Sequence, residues 1–190
     1  MNRPYHHGTL RSAVLAAARN RLKTHPAAEL SLREVARVVG VSSNAPYRHF
    51  PGKDGLTEAL VAEAYRELTG IAEQALLLED GEIAALASGY TSLWREEPRL
   101  LWLVSTQDFA GRDPESEVVL ARDEWFAALV AIVEAEAGRL PATEAYRRAA
   151  GVWAILQGVA QLGGVGGKGL LSAELLPDAG ELARRVARGR

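Results

Sequence analysis

A chain of 190 residues, 48% of them hydrophobic, is long enough to bury a substantial core and too apolar to be a disordered tail. It contains no cysteine, which excludes disulfides and thiolate metal sites and fits a reducing cytoplasm, the expected location. The formal charge of −2 hides a split: residues 1–53 carry nine Lys/Arg against two Asp/Glu, and residues 54–190 carry thirteen against twenty-two, so a region suited to a polyanion precedes one that is not.

The composition reads as all-α, rich in Ala, Leu, Glu and Arg and without β-branched alternation. Thr9 is placed to cap a first helix running to about Lys23, with Leu10, Val14, Ala17, Ala18 and Leu22 on one face. Pro26 stops it. A second helix starts at Ser31, where Ser31 and Glu34 have the spacing of a capping box. Leu32, Val35, Ala36 and Val39 form its narrow apolar stripe, and Gly40 ends it in a left-handed turn plugged by Val41. Ser42 then caps a third, very short helix ending near Phe50, and Pro51-Gly52 punctuates the chain again. A long helix is predicted from Lys53 into the seventies, with later helices over 81–96, 98–106, 115–137, 142–162 and about 178–188. Asp80, Asp113 and Thr143 are candidate caps, and "QDFAGRDPES" reads as a loop. "GGVGGKG", residues 163–169, falls short of a phosphate-binding loop. Leu162 stands where the first glycine belongs and Gly169 follows Lys168, so it reads as a flexible connection. The N-terminal "MNRPYHHGTL" lacks the apolar core of a signal peptide, and no apolar run reaches the roughly 18 residues of a membrane helix, so no membrane partner is expected.

Two short helices joined at a glycine make a helix-turn-helix, in which the first braces the second in a DNA major groove. A groove about 12 Å wide admits a helix whose leading residues are small or polar, and "SSNA" meets that need. Ser42 opens the segment, Ser43 and Asn44 can donate and accept at base edges, and Ala45 can meet a thymine methyl. Tyr47, Arg48 and His49 can reach phosphates. Lys53 opens the next helix, where ammonium and free backbone N–H groups could hold one phosphate together.

The stretch "LSLREVARVVGVSSNAPYRHFPGKDGLTEAL", with "YHHGTLRSAVLAAA" before it, resembles the DNA-binding domain of the TetR family of bacterial transcription regulators over residues 5–60. The resemblance implies a helix-turn-helix domain over 1–52 and a helical effector-binding and dimerisation domain over 53–190. It also implies that Arg33 contacts a base, that Ser43, Asn44 and Ala45 read sequence, and that Tyr47, His49 and Lys53 hold phosphates. Pro46 departs from the leucine of many members and unsettles where the third helix starts. Arg3 is either a minor-groove contact or part of a frayed terminus. His6-His7 has no ligand neighbours in sequence, so no metal is expected there.

All four tryptophans, Trp94, Trp102, Trp125 and Trp153, lie in the larger part. Together with Gln107, Phe109 and Gln157 they are the candidate lining of an effector pocket suited to an apolar or aromatic small molecule. The alternative is that they are core residues. "AAGVWAILQGVAQLGG" is apolar nearly all round its helix, so it needs covering on every side, and a homodimer built on 142–162 and 178–188 supplies that. "WAILQG" resembles the W-x-x-x-H-G signature of one C-terminal subgroup, with Gln157 in place of the histidine. No nucleophile–base–acid set is legible, and no histidine lies beyond residue 49. No catalytic residue and no cofactor is therefore expected. The reading is a ligand-responsive dimeric repressor of a near-palindromic, double-stranded DNA operator. An activator and a DNA-binding protein of the same fold without an effector are the alternatives.

Overall fold

The computed structural model describes residues 7–163 and 178–189. Among these the regular structure is helical: α1 His7–Leu22, α2 Leu32–Val39, α3 Gly52–Leu76, α4 Glu82–Glu96, α5 Pro98–Ser105, α6 Glu117–Ala137, α7 Ala142–Gly163 and α8 Ala179–Ala187, with short 3-10 turns at Ala27–Glu29 and Pro46–Arg48. Arg3, His6 and all of "GGVGGKG" beyond Gly163 lie outside the described residues.

The apolar stripe of α1 is buried as its spacing requires, through Leu10, Val14, Ala18 and Leu22, joined by Leu15; Ala17 is only half-buried. The helix starts at His7, so Thr9 lies inside it rather than capping it. In α2, Leu32, Val35 and Ala36 are buried, and Gly40 takes the left-handed φ of 78° that ends the helix.

The capping box does not form. The Ser31 carbonyl accepts from the Val35 N–H at 3.0 Å, but its hydroxyl makes no capping bond. The Glu34 carboxylate instead meets Arg21 of α1 at 2.8 Å. A charge-assisted bond to a guanidinium outcompetes a backbone N–H that water can also serve.

Residues 42–50 are not an α-helix. The Ala45 N–H bonds to the Ser42 carbonyl, Arg48 to Ala45 and His49 to Pro46, all at three-residue spacing; within the segment only Phe50 to Pro46 has the α spacing. Pro46 has no N–H to give the Ser42 carbonyl, so the first α-type bond cannot be made and the segment tightens into a turn and a single 3-10 turn.

α3 is 25 residues and about 37 Å long. Leu56, Ala59 and Leu60 bury its first turns beside the N-terminal helices, while Tyr65, Leu68, Ala72 and Ala75 bury the rest. α3 packs most extensively on α6, α8 lies on α7 and α4, and α5 lies across α3. A Cβ added at Gly151 would sit 2.7 Å from Val186 Cγ1, so glycine is what lets α7 and α8 approach so closely. The expected caps are replaced: Gly81 and Ser116 stand at the starts of α4 and α6 instead of Asp80 and Asp113, and Thr143 lies within α7. Asp113 accepts from the Glu115 N–H in a local turn, whereas Asp178 caps α8 through the Glu181 N–H at 2.9 Å.

Candidate nucleic-acid interface and adjoining cavity

Burial of Pro46 and Phe50 anchors the 42–50 segment to the N-terminal bundle and turns the rest of it outward. Ser42, Ser43, Asn44, Tyr47 and Arg48 are exposed, while Ala45 and His49 are half-buried. Arg33 is exposed on the adjoining α2, and Arg37, one turn further on, is exposed beside it. Sequence reading passed over Arg37, although its i, i+4 spacing from Arg33 marks the same face.

The arginines of this domain are sorted by partner. Arg21 pairs with Glu34; Arg19 pairs with Glu67 at 2.7 Å and Glu97 at 3.1 Å; Arg11 pairs with Glu117 at 2.5 Å and lies over the Phe50 ring. Arg33, Arg37 and Arg48 pair with nothing among the described residues. Cations left unneutralised on one face are what a phosphate backbone requires. Lys53 stands at the start of α3, where its ammonium donates to the Ala28 carbonyl at 2.5 Å. Two of its three donors remain for another acceptor.

A second set of contacts fastens this domain to the helices beyond. Glu97, at the α4–α5 corner, is 7% exposed and meets Arg19 and, at 3.3 Å, Lys23. Arg99 donates to the carbonyls of Leu22 and Lys23, which end α1. Glu117 at the start of α6 accepts from both Arg11 of α1 and Arg66 of α3.

A cavity of about 330 Å³ opens between α3, the α5–α6 loop, α6 and α7. Of the seven predicted lining residues, Gln107, Phe109, Trp153 and Gln157 stand in its wall. Trp125 is fully buried behind the wall, edge-on to Trp153 with ring centroids 5.7 Å apart. Trp94 is buried outside the wall, and Trp102 is 54% exposed on α5 and takes no part. Tyr65, Arg122 and Phe126 also line the cavity, with the smaller Val104, Ser105, Ala150 and Ala154, and were not foreseen. Arg122 and Phe126 share one face of α6 at i, i+4, a usable signal, and Tyr65 comes from α3. Burial pushes the Tyr65 hydroxyl well above the ordinary phenol range, against the opposing charge of Arg122, so it is a neutral donor. The loop forming one wall is pinned to α3. Arg112 donates to Gln107 Oε1 at 3.1 Å and to the Asp108 carbonyl, and ion-pairs with Glu58 of α3.

Among the described residues no cluster of His, Asp or Glu is arranged to hold a metal ion, and no helix is long and apolar enough to cross a membrane.

Residues 14–60, which span α2 and the exposed 42–50 segment, match the family described as bacterial regulatory proteins, tetR family. The HTH-type transcriptional regulator Rv1816 of Mycobacterium tuberculosis is 35% identical over 66 residues, a stretch taking in 35% of this chain and 28% of that protein. The chain thus matches little more than a quarter of the length of its curated relatives. A solved structure from Rhodococcus sp. RHA1, of unknown function, is 31% identical over 99% of this chain and 96% of its own, with a TM-score of 0.74. The TetR family transcriptional regulator PfmR from Thermus thermophilus shares the fold at 18% identity, over 92% of this chain and 94% of its own, with a TM-score of 0.61. Residues 14–60 therefore carry a DNA-binding segment of the tetR-family type, and the chain as a whole shares the fold of a TetR-family regulator.

Proposed function

We propose that the chain is a homodimeric, effector-responsive transcriptional repressor, with residues 1–52 binding a near-palindromic operator and residues 53–190 binding the effector and the second protomer. One observation carries the DNA reading: Arg33, Arg37 and Arg48, unpaired among the described residues, flank the exposed Ser42–Asn44. In this reading Ser43 and Asn44 meet base edges with Arg33, while Tyr47, Arg48, His49 and Lys53 hold phosphates. Ala45, being half-buried, has less freedom to reach a thymine methyl.

The outer side of α7 supports the dimer. Gln161 is exposed there, and Ile155, Gly158 and Leu162 are half-buried, a weakly polar face continuous with α8. Two copies related by a two-fold axis on this face would present paired reading segments to successive major grooves, about 34–36 Å apart. The effector would act through α3, which carries Tyr65 in the cavity wall and follows the reading segment directly. Gln107, Arg112 and Glu58 give the cavity a second grip on the same helix. A ligand shifts the spacing only by its differential affinity for the two arrangements.

The test joins sequencing of the DNA bound to the chain in its host with transcript levels in a deletion strain and sedimentation of the pure protein. A dimer whose loss raises the transcripts beside its bound sites fits the reading. A monomer, or unchanged neighbouring transcripts, contradicts it.

A further inference from the structure

The cavity beside Tyr65 is unevenly charged. Among the described residues Arg122 is the one ionised side chain in its wall, and no carboxylate lines it. The Arg122 guanidinium lies 4.6 Å from the centre of the Phe109 ring, and Arg112, whose charge Glu58 balances, lies over the same ring at 5.7 Å. Both Nε and Nη2 of Arg122 donate to a single oxygen, Asp123 Oδ1, at 2.9 and 2.6 Å. Nη1 has no acceptor among the described residues. The Asp123 side chain is 59% exposed and that of Arg122 only 28%, so water screens the anion more than the cation it faces. The cavity wall therefore holds one cation, paired to a more exposed carboxylate, and an unused donor.

An ammonium entering the cavity would meet this cation with no counter-ion in the wall. A neutral ligand would take the donor only in a weaker bond, without charge assistance on its side. A carboxylate would take the donor in a charge-assisted bond while its body lay among the rings. About 330 Å³ equals the share of roughly eleven waters, which sets the ligand at about ten to fifteen non-hydrogen atoms.

We infer that the cavity selects a compact aromatic carboxylate, with its anionic group against Nη1 of Arg122 and its ring among Phe109, Phe126 and Trp153. This rests on the reading of the cavity as the effector site, and it adds the chemical class of the ligand.

The experiment measures melting temperature and calorimetric affinity of the full chain with 3-phenylpropanoate and indole-3-acetate. The primary amide and the amine of each skeleton are run beside them. The acids raise the melting temperature and bind about tenfold to a hundredfold more tightly than the amides, with the amines weakest. Arg122→Gln removes that advantage and leaves amide binding unchanged, which shows the cavity still folded. Amides or amines that match the acids, or an acid affinity unmoved by Arg122→Gln, overturn the inference while the effector reading stands. Equal loss of acid and amide in the variant overturns it too, because Arg122 then only shapes the wall. Failure of both acids overturns it as well. In that case a neutral or cationic compound that enters the cavity and releases DNA preserves the effector reading, and a cavity that no compound enters ends both.

Discussion

Replacing Glu97 with glutamine removes one negative charge from the joint between α1 and the α4–α5 corner. The carboxylate is 7% exposed, and Oε1 lies 3.1 Å from Arg19 Nε and 3.3 Å from Lys23 Nζ. Deleting one partner of a fully buried pair costs about 3–5 kcal/mol, because the other charge is stranded. Here the strandedness is partial. Arg19 keeps Glu67 at 2.7 Å, and Lys23, half exposed, can turn to water. The loss nevertheless exceeds the roughly 0–1 kcal/mol of an exposed pair. The result is about 1–3 kcal/mol. At about 2–4 °C per kcal/mol for a chain of this size, the melting temperature falls by about 2–12 °C. Scanning calorimetry at matched protein concentration measures it, since any dimer melts in a concentration-dependent way. Glu96→Gln, at an exposed neighbour with no ion pair among the described residues, is the control and leaves the transition in place. A Glu97→Gln transition within about 1 °C of the wild type refutes the claim that this carboxylate ties the domains together.

Arg48→Ala weakens binding to specific and random DNA alike and lowers the salt slope by about 0.9 for each phosphate that Arg48 neutralises, read from anisotropy titrations at several salt concentrations. Asn44→Ala or Arg33→Ala costs about 1–3 kcal/mol on the preferred site and relaxes preference at particular base pairs; equal losses on random DNA would remove both from base reading. Glu63 is held above the usual carboxylate range, chiefly by burial, against Arg19, Arg11 and Arg66. A raised folded-state pKa favours folding at low pH and loses that contribution as pH rises through it. Glu63→Gln therefore raises the melting temperature at neutral pH, with a gain that shrinks toward about pH 4. Gly151→Ala drives a methyl to 2.7 Å from Val186 Cγ1 and costs about 1–3 kcal/mol in a denaturant midpoint assay, with partial rescue by Val186→Ala.

The helices were legible because of their periodic apolar faces, and α2, α4 and α6 end at or beside a glycine or proline. α2, from its stripe to the left-handed Gly40, and the long α3 fell where pattern placed them. The segment after Gly40 was misread as a helix because a serine before a polar run resembles a cap. Pro46 stands four residues after that cap, where its missing N–H removes the first α-type bond. Phe50 must also reach the core and Gly52 already opens the next helix, leaving room for one tight turn. The Ser31–Glu34 spacing was right for a capping box, but the claim of Arg21 on Glu34 comes from packing α1 against α2, which no local window contains. The cavity was half legible for the same reason. Tryptophan content pointed to the larger part, yet only tertiary packing decides that Trp153 faces the void, Trp125 stands behind it and Trp102 faces solvent.

Selection of bound sequences from a random DNA pool tests the central claim most directly, because it asks whether the exposed turn from Ser42 to His49 reads bases. The account predicts an inverted repeat whose half-site centres lie about one helical turn apart, and a change at defined positions within each half-site when the selection is repeated with Asn44→Ala. An enriched sequence without two-fold symmetry, or an identical sequence selected by the variant, would contradict it.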